Sequence, residues 1–206
     1  ERSSQRNFGA KKAIGNFLLF LDADMELPPS LLEELAKFAK IGTKSVIIPE
    51  ISKGLGFWAK CKAFEKKFYF NSDIEAPRFF AKKFFEEIGG WNEELVAAED
   101  WDLALRIKTG GVKIQRTKAS IVHHEGKLSL LSQMKKKFYY GENLPKFAKI
   151  YPGFFLTKSN MLARPAFLKN FPKLLANPVL TSGLLILKTA ESAAFGAGFL
   201  KALIFK

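Results

Sequence analysis

Phe17-Leu18-Leu19-Phe20-Leu21-Asp22-Ala23-Asp24 is a short apolar run that ends in two carboxylates separated by one residue. A run of this length bounded by polar residues reads as a central strand of a sheet covered on both faces. Ligands of open α/β sheets gather at the carboxyl ends of such strands, and Asp22 and Asp24 fall there. Hard cations such as Mg²⁺ take oxygen ligands, commonly one or two carboxylates plus substrate phosphates. The same tripeptide also begins ordinary solvated loops, so its surroundings decide the reading.

Outward from this run, residues 3–15 read as a helix stopped by Gly15. Pro28-Pro29-Ser30 opens a helix to about Ala39, with proline accepted in the first turn and Glu33 and Glu34 near the positive end of the dipole. Residues 45–49 read as a strand, and residues 54–71 as a helix rich in aromatic residues with core spacing. Residues 78–82 form a strand leading into a helix over 83–88, which Gly89-Gly90 ends. A helix over 99–109, strands over 112–116 and 119–122, and a basic amphipathic helix over 128–140 follow. Alternation of this kind predicts an α/β sandwich.

The chain of 206 residues carries 33 Lys and Arg against 20 Asp and Glu, a formal net charge of +13. Such an excess implies an anionic partner: a lipid surface, phosphorylated substrates or nucleic acid. The basic residues are scattered and no nucleic-acid motif is present, so no nucleic-acid partner is expected. Cys61 is the single cysteine, which excludes an intramolecular disulfide, fits a reducing compartment and leaves no zinc-type spacing. Near the C-terminus Leu174–Leu187 is uncharged, and Lys188 and Glu191 then interrupt it. That run is short of the roughly 18 residues of a clear membrane span. With basic flanks at Lys169, Lys173, Lys201 and Lys206 it predicts association with the cytoplasmic face of a membrane. The alternative is a hydrophobic helical hairpin.

Upstream of the strand stand Arg6-Asn7-x-Gly9, Ala13 and Gly15. Downstream come Gly89-Gly90-Trp91-Asn92-Glu93-Glu94, then Glu99-Asp100-Trp101-Asp102-Leu103, Arg106 and Gly110-Gly111. In this order the set resembles the family 2 glycosyltransferases of GT-A fold, over roughly residues 2–145. The resemblance implies a GT-A domain over residues 1–150, with a central, mostly parallel sheet; the apolar run and its basic flanks make residues 151–206 a helical membrane-associating segment. In the family, part of the nucleotide-binding region precedes the helix carrying Arg6 and Asn7. The resemblance therefore implies an incomplete sandwich: an N-terminally truncated fragment, inactive by itself, with an exposed sheet edge or groove beside Phe17–Leu21.

The implied reaction is inverting, metal-dependent transfer of one hexosyl-type sugar from a nucleotide-diphosphate sugar to an acceptor hydroxyl that is lipid-linked or membrane-proximal. By resemblance Asp24 binds the divalent cation (Mg²⁺ or Mn²⁺), and Asp22 helps to hold the metal or the donor. Asp100 is the general base and Glu99 positions the acceptor or the sugar. The bland reading of Glu99, Asp100 and Asp102 is helix capping. His123 and His124 alternate on a strand, so at most one faces the site; His123 is the preferred metal neighbour. Arg6, Asn7, Arg78, Trp91, Asp102 and Lys136 are the candidate substrate-binding residues. Trp91 is either an acceptor platform or packing beneath its loop, and Lys135–Lys137 face the diphosphate, the membrane or solvent. Processive synthases of the family carry Gln-x-x-Arg-Trp after the Glu-Asp motif; no Arg-Trp follows Gln133 here, which favours a single transfer. Two rivals stand beside this reading. One is a basic membrane- or RNA-binding module without catalysis. The other is an Asp-x-Asp phosphatase, against which the residues Met25-Glu26-Leu27 and the lack of a later Gly-Asp pair speak.

Overall fold

The computed structural model describes residues 1–70, 72, 75–158, 167 and 170–205; Asn71, Lys169 and Lys206 lie outside them. The chain divides into two units, Glu1–Ile51 with Asp73–His124, and Ser52–Ser72 with Glu125–Lys206. Residues 52–72 join the C-terminal helices because their helix packs on the long last helix.

In the first unit α1 (Arg2–Lys12) leads to β1 (Phe17–Leu19), β2 (Met25–Glu26), α2 (Pro29–Lys40), β3 (Ser45–Ile47) and the start of β4 (Glu50–Leu55). After the excursion come β5 (Pro77–Ala81), α4 (Lys82–Glu87), α5 (Glu99–Thr109), β6 (Gln115–Arg116) and β7 (Ile121–Lys127), with α3 (Phe57–Lys66) belonging to the second unit. One sheet has the order β1-β5-β3-β6 and the other β2-β7-β4. The strands β1, β3 and β6 run the same way, but β5 lies between β1 and β3 and opposes both. Two of these three pairings are thus antiparallel, which corrects the expected mostly parallel sheet. β1 is also an edge strand rather than a central one.

Strand alternation builds two cores from this sheet. Leu18 and Phe80 point to one face, against Ala10 of α1, Phe84 and Phe85 of α4, and Leu103 and Ile107 of α5. Phe79 and Val46 point to the other, against Leu31 and Leu35 of α2. The sandwich follows because Leu31 and Leu35 recur at helical spacing, and Pro29 occupies the first turn where its missing N–H costs nothing. Helix α5 carries Glu99, Asp100 and Asp102 in its first turn and Arg106 and Lys108 in its last, matching the helix dipole at both ends.

The second unit holds α3, α6 (Leu130–Asn143), α7 (Pro145–Ile150), α8 (Pro152–Lys158), α9 (Phe171–Leu175) and α10 (Pro178–Phe205). The helix expected from residue 54 starts only at Phe57, because β4 runs through Gly54 to Leu55. A Cβ on Gly54 would come within 2.9 Å of the Gly126 carbonyl oxygen. Helix α10 is a single helix of 28 residues, long and apolar enough to cross a membrane, which corrects the reading of a short run. It continues through Lys188 and Glu191 because both face inward. The buried stripe Gly183, Leu184, Leu187, Lys188, Glu191, Ala194, Gly198 and Ala202 holds these two charges, while Lys201 is exposed. The outward positions are Val179, Leu185, Ile186, Leu200, Leu203 and Ile204. Gly141 of α6 and Gly198 of α10 let the two backbones meet, since a Cβ on either would collide with the Phe195 or Phe138 carbonyl oxygen.

Inside this unit four charges close a ring. Lys62 Nζ lies 2.9 Å from Glu65 and 3.1 Å from Glu191; Lys188 Nζ lies 2.7 Å from Glu65 and also pairs with Glu191. The Tyr69 hydroxyl donates to Glu65 at 2.8 Å. Burial pushes the Glu65 carboxyl up, but Lys62 and Lys188 outweigh it and hold it well below the usual range. Lys137 turns toward the same ring, and burial, with Lys62 beside it, brings its amine down to about 7.

Breaking one member of a buried pair costs more than removing the pair. Lys188→Met should therefore destabilise the protein by about 3–5 kcal/mol in denaturant titration. The double variant Lys188→Met with Glu191→Leu retains the Lys62–Glu65 pair and should lose less than the single. Additive losses would contradict the ring.

Candidate functional site

Asp22 lies just past β1, and the antiparallel register sets Arg78 of β5 beside it. The Phe20 N–H donates to the Arg78 carbonyl at 2.9 Å, and the Arg78 guanidinium lies 3.5 Å from Asp22 Oδ2. From α1, Arg6 reaches Asp22 Oδ1 at 3.0 Å. Burial raises the Asp22 carboxyl, but Arg78 and then Arg6 outweigh it, so its pKa is lowered. Arg6 is placed by its neighbours. Its guanidinium lies 4.8 Å from the centre of the Trp91 ring, and Asn7 exchanges hydrogen bonds with the Trp91 backbone at 2.8 and 2.9 Å. Gly90 adopts φ +63°, and a Cβ there would come within 2.7 Å of Asn7 Oδ1, so this turn requires glycine.

The three-stranded sheet frames His123 on its middle strand. Met25 of β2 pairs with His123, and the Asp24 carbonyl accepts from the His124 N–H at 2.8 Å. On the other side the Pro49 carbonyl accepts from Ile121 at 2.9 Å, which brings Glu50 alongside. His123 Nε2 then lies 3.1 Å from Asp24 Oδ2, and its Nδ1 lies 3.6 Å from Glu50 Oε2. His124 points away and meets Glu26 at 2.9 Å. Glu50 Oε1 in turn accepts from Arg78 Nε at 2.8 Å.

Glu99 and Asp100 open α5 after Ala98, whose φ of 62° is left-handed, an uncommon conformation for a residue with a Cβ. Glu99 is buried, while the Asp100 side chain is 47% exposed. Arg6 Nη1 lies 3.8 Å from Glu99 and 3.6 Å from Asp100, and this buried nitrogen has no hydrogen-bond acceptor among the described residues. Displaced water holds the Asp100 carboxyl above the ordinary range, against the pull of Arg6, Arg78 and Arg2. Burial raises Glu99 also, with the Asp100 charge adding to it.

A chain of polar contacts therefore links Asp24, His123, Glu50, Arg78, Asp22, Arg6, and the pair Glu99 and Asp100. Four sequence candidates stand elsewhere. Trp91 is only 3% exposed, so its ring packs beneath the loop and offers no platform. Asp102 is buried against Arg106 at 2.7 Å, and Arg106 donates to the Ile88 and Gly90 carbonyls, so the pair braces the glycine turn. Asn7 clamps that same loop. Lys136 is an exposed residue of α6 in the second unit, its amine 5.9 Å from the centre of the Tyr140 ring. The sequence reading missed Glu50. It opens β4, within residues 50–53 that no predicted strand or helix covers, and no motif surrounds it; only the sheet order reveals its neighbours.

Among the described residues no group of three or more His, Cys, Asp or Glu is arranged to hold a metal ion. Asp24 and His123 nonetheless bring a carboxylate and an imidazole together at 3.1 Å. That is a donor set suited to a cation that takes its remaining ligands from phosphate and water. Both Asp22 oxygens face guanidinium groups instead.

The family model described as Glycosyl transferase family 2 matches residues 2–91. No curated protein matches the chain. The matched stretch contains Arg6, Asp22, Asp24, Glu50 and Arg78, and it ends before Glu99 and Asp100. Residues 2–91 are a family 2 glycosyltransferase-like segment, and glycosyl transfer is the general activity that goes with it.

Proposed function

We propose that this protein moves one sugar from a nucleotide-diphosphate donor to an acceptor hydroxyl with inversion, at a membrane surface. The observation that carries the reading is Arg6, one guanidinium within 4 Å of Asp22, Glu99 and Asp100. It joins Asp22, one carboxylate of the Asp-x-Asp pair, to the pair suited to proton removal. In the proposed reaction Asp100 takes the acceptor proton as its oxygen attacks the anomeric carbon. The bond to the diphosphate breaks, and the electron pair leaves with it. Arg6 and Arg78 lie where that charge develops, and electrostatic stabilisation of this kind is the larger part of most such catalysis. Glu99 orients the acceptor. Asp24 and His123 would hold a divalent cation, which supplies Lewis-acid neutralisation of the diphosphate when bound. Asp22 is locked between two arginines, which argues against its serving as a phosphatase nucleophile.

Membrane association rests on α10. It extends about 42 Å at helical rise, against about 30 Å of bilayer hydrocarbon. Its outward face is mostly apolar while Lys188 and Glu191 are internal, the reverse of a helix facing water; Lys201 is its one exposed charge. Of the expected basic flanks, Lys201 pairs with Glu142 at 2.6 Å and Lys173 is exposed. An anionic surface favours each nearby lysine by about 1 kcal/mol. A membrane-proximal or lipid-linked acceptor is consistent with this placement.

Asp100→Asn should reduce transfer from a nucleotide sugar by about 10²–10⁴-fold, the usual worth of general-base assistance. A base must be deprotonated, so wild-type kcat/KM should rise with pH through a pKa above the ordinary ~3.9 of aspartate. That limb should vanish in the variant. Because the folded pKa is raised, the ionised carboxylate opposes folding above it, and the variant should melt no lower than wild type at neutral pH. Unchanged turnover in Asp100→Asn would remove the residue from this role.

Leu185→Asp with Leu200→Asp places charge on the outward face of α10 without touching its buried stripe. Co-sedimentation with liposomes of mixed neutral and anionic lipid should be lost in this variant and retained by wild type. A wild-type chain that ignores such liposomes would make α10 an ordinary packing helix.

A further inference from the structure

We infer that Glu50 is a positioning residue that aims His123 Nε2 at Asp24 while fixing the Arg78 guanidinium toward Asp22. The inference rests on the reading of Asp24 and His123 as a cation-holding pair. Its two oxygens divide the work. Oε1 accepts from Arg78 Nε at 2.8 Å and lies 2.5 Å from the terminal nitrogen that also faces Asp22. Oε2 faces His123 Nδ1 at 3.6 Å, on the opposite side of the ring from Asp24. A carboxylate behind one imidazole nitrogen leaves the other to present its lone pair to a cation, and such outer partners orient the ring and raise its basicity. At 3.6 Å the influence on the ring is electrostatic rather than a full hydrogen bond.

The placement comes from backbone pairing. Glu50 begins β4 and Asp24 immediately precedes β2, on either side of the middle strand that carries His123. The Glu50 side chain is about a quarter exposed and that of Arg78 less, so the two hold one another beneath the site. Burial works against the Arg78 charge, yet the Glu50 carboxylate outweighs it and keeps the guanidinium firmly protonated. Without Glu50, Arg78 loses its closest anion and His123 loses its rear partner in one step.

The test titrates Mn²⁺ into the protein without substrates, together with a ¹⁵N spectrum of the arginine Nε–H groups. Glu50→Gln should weaken Mn²⁺ binding about 10–100-fold, and Glu50→Asp should recover part of the loss. The Arg78 Nε–H signal, slow to exchange in wild type, should exchange quickly in Glu50→Gln. Adding Glu50→Gln to His123→Ala should cost little beyond His123→Ala alone, because Glu50 acts on the cation through the ring. Wild-type Mn²⁺ affinity in a folded Glu50→Gln variant, or fully additive losses, would overturn the inference while leaving the cation pair standing. A wild-type protein that does not bind Mn²⁺ would instead overturn the cation reading, and the role of Glu50 toward His123 with it.

Discussion

Asp22 is held between two guanidiniums, and that three-body contact ties together three separate parts of the chain. Arg6 arrives on a helix, Arg78 on an antiparallel strand, and Asp22 on the segment leaving the edge strand. Each arginine has a second obligation, Arg6 to Glu99 and Asp100, and Arg78 to Glu50. Partly buried charges held this way are screened little by water, so each one fixes the geometry of the next. The bracing beneath is equally specific. Asn7 holds the Trp91 backbone, Arg106 holds the Gly90 carbonyl, and the chain then enters α5 through the left-handed Ala98. The acidic pair at that helix start is positioned from both ends.

The helical unit solves a different problem with the same chemistry. Two lysines and two glutamates satisfy one another in a ring, so the interior of the unit carries charge while α10 turns leucine and isoleucine outward. Burying four charges brings little net stability, because desolvation offsets most of the attraction. What the ring does impose is rotation: only one angular setting of α10 brings Lys188 and Glu191 to Lys62 and Glu65. Gly141 and Gly198 then allow the helices to close onto that setting.

The sandwich was legible wherever a pattern is local. The spacing of Leu31 and Leu35, the alternation of Phe79 with Phe80, the glycines after α4 and the acids that open α5 all report themselves within a few residues. The Asp-x-Asp after an apolar strand and the ordered motifs around it pointed to glycosyl transfer, and the family match over residues 2–91 agrees. Long-range facts were not legible. Nothing in Pro77–Ala81 says that it inserts antiparallel between β1 and β3, and nothing around Lys188 says that its charge turns inward.

The candidate site divides along the same line. The chemical types of Asp22, Asp24, Asp100 and His123 were legible in the sequence alone, through the ordered motifs and the strand that carry them. Their partners were decided only by the tertiary structure. Trp91 and Asp102 became buried braces, and Glu50, which carries no motif, became the link between His123 and Arg78. The reason is physical: a motif specifies which groups a residue can bind, whereas sheet order and helix rotation determine which of those groups come within 4 Å.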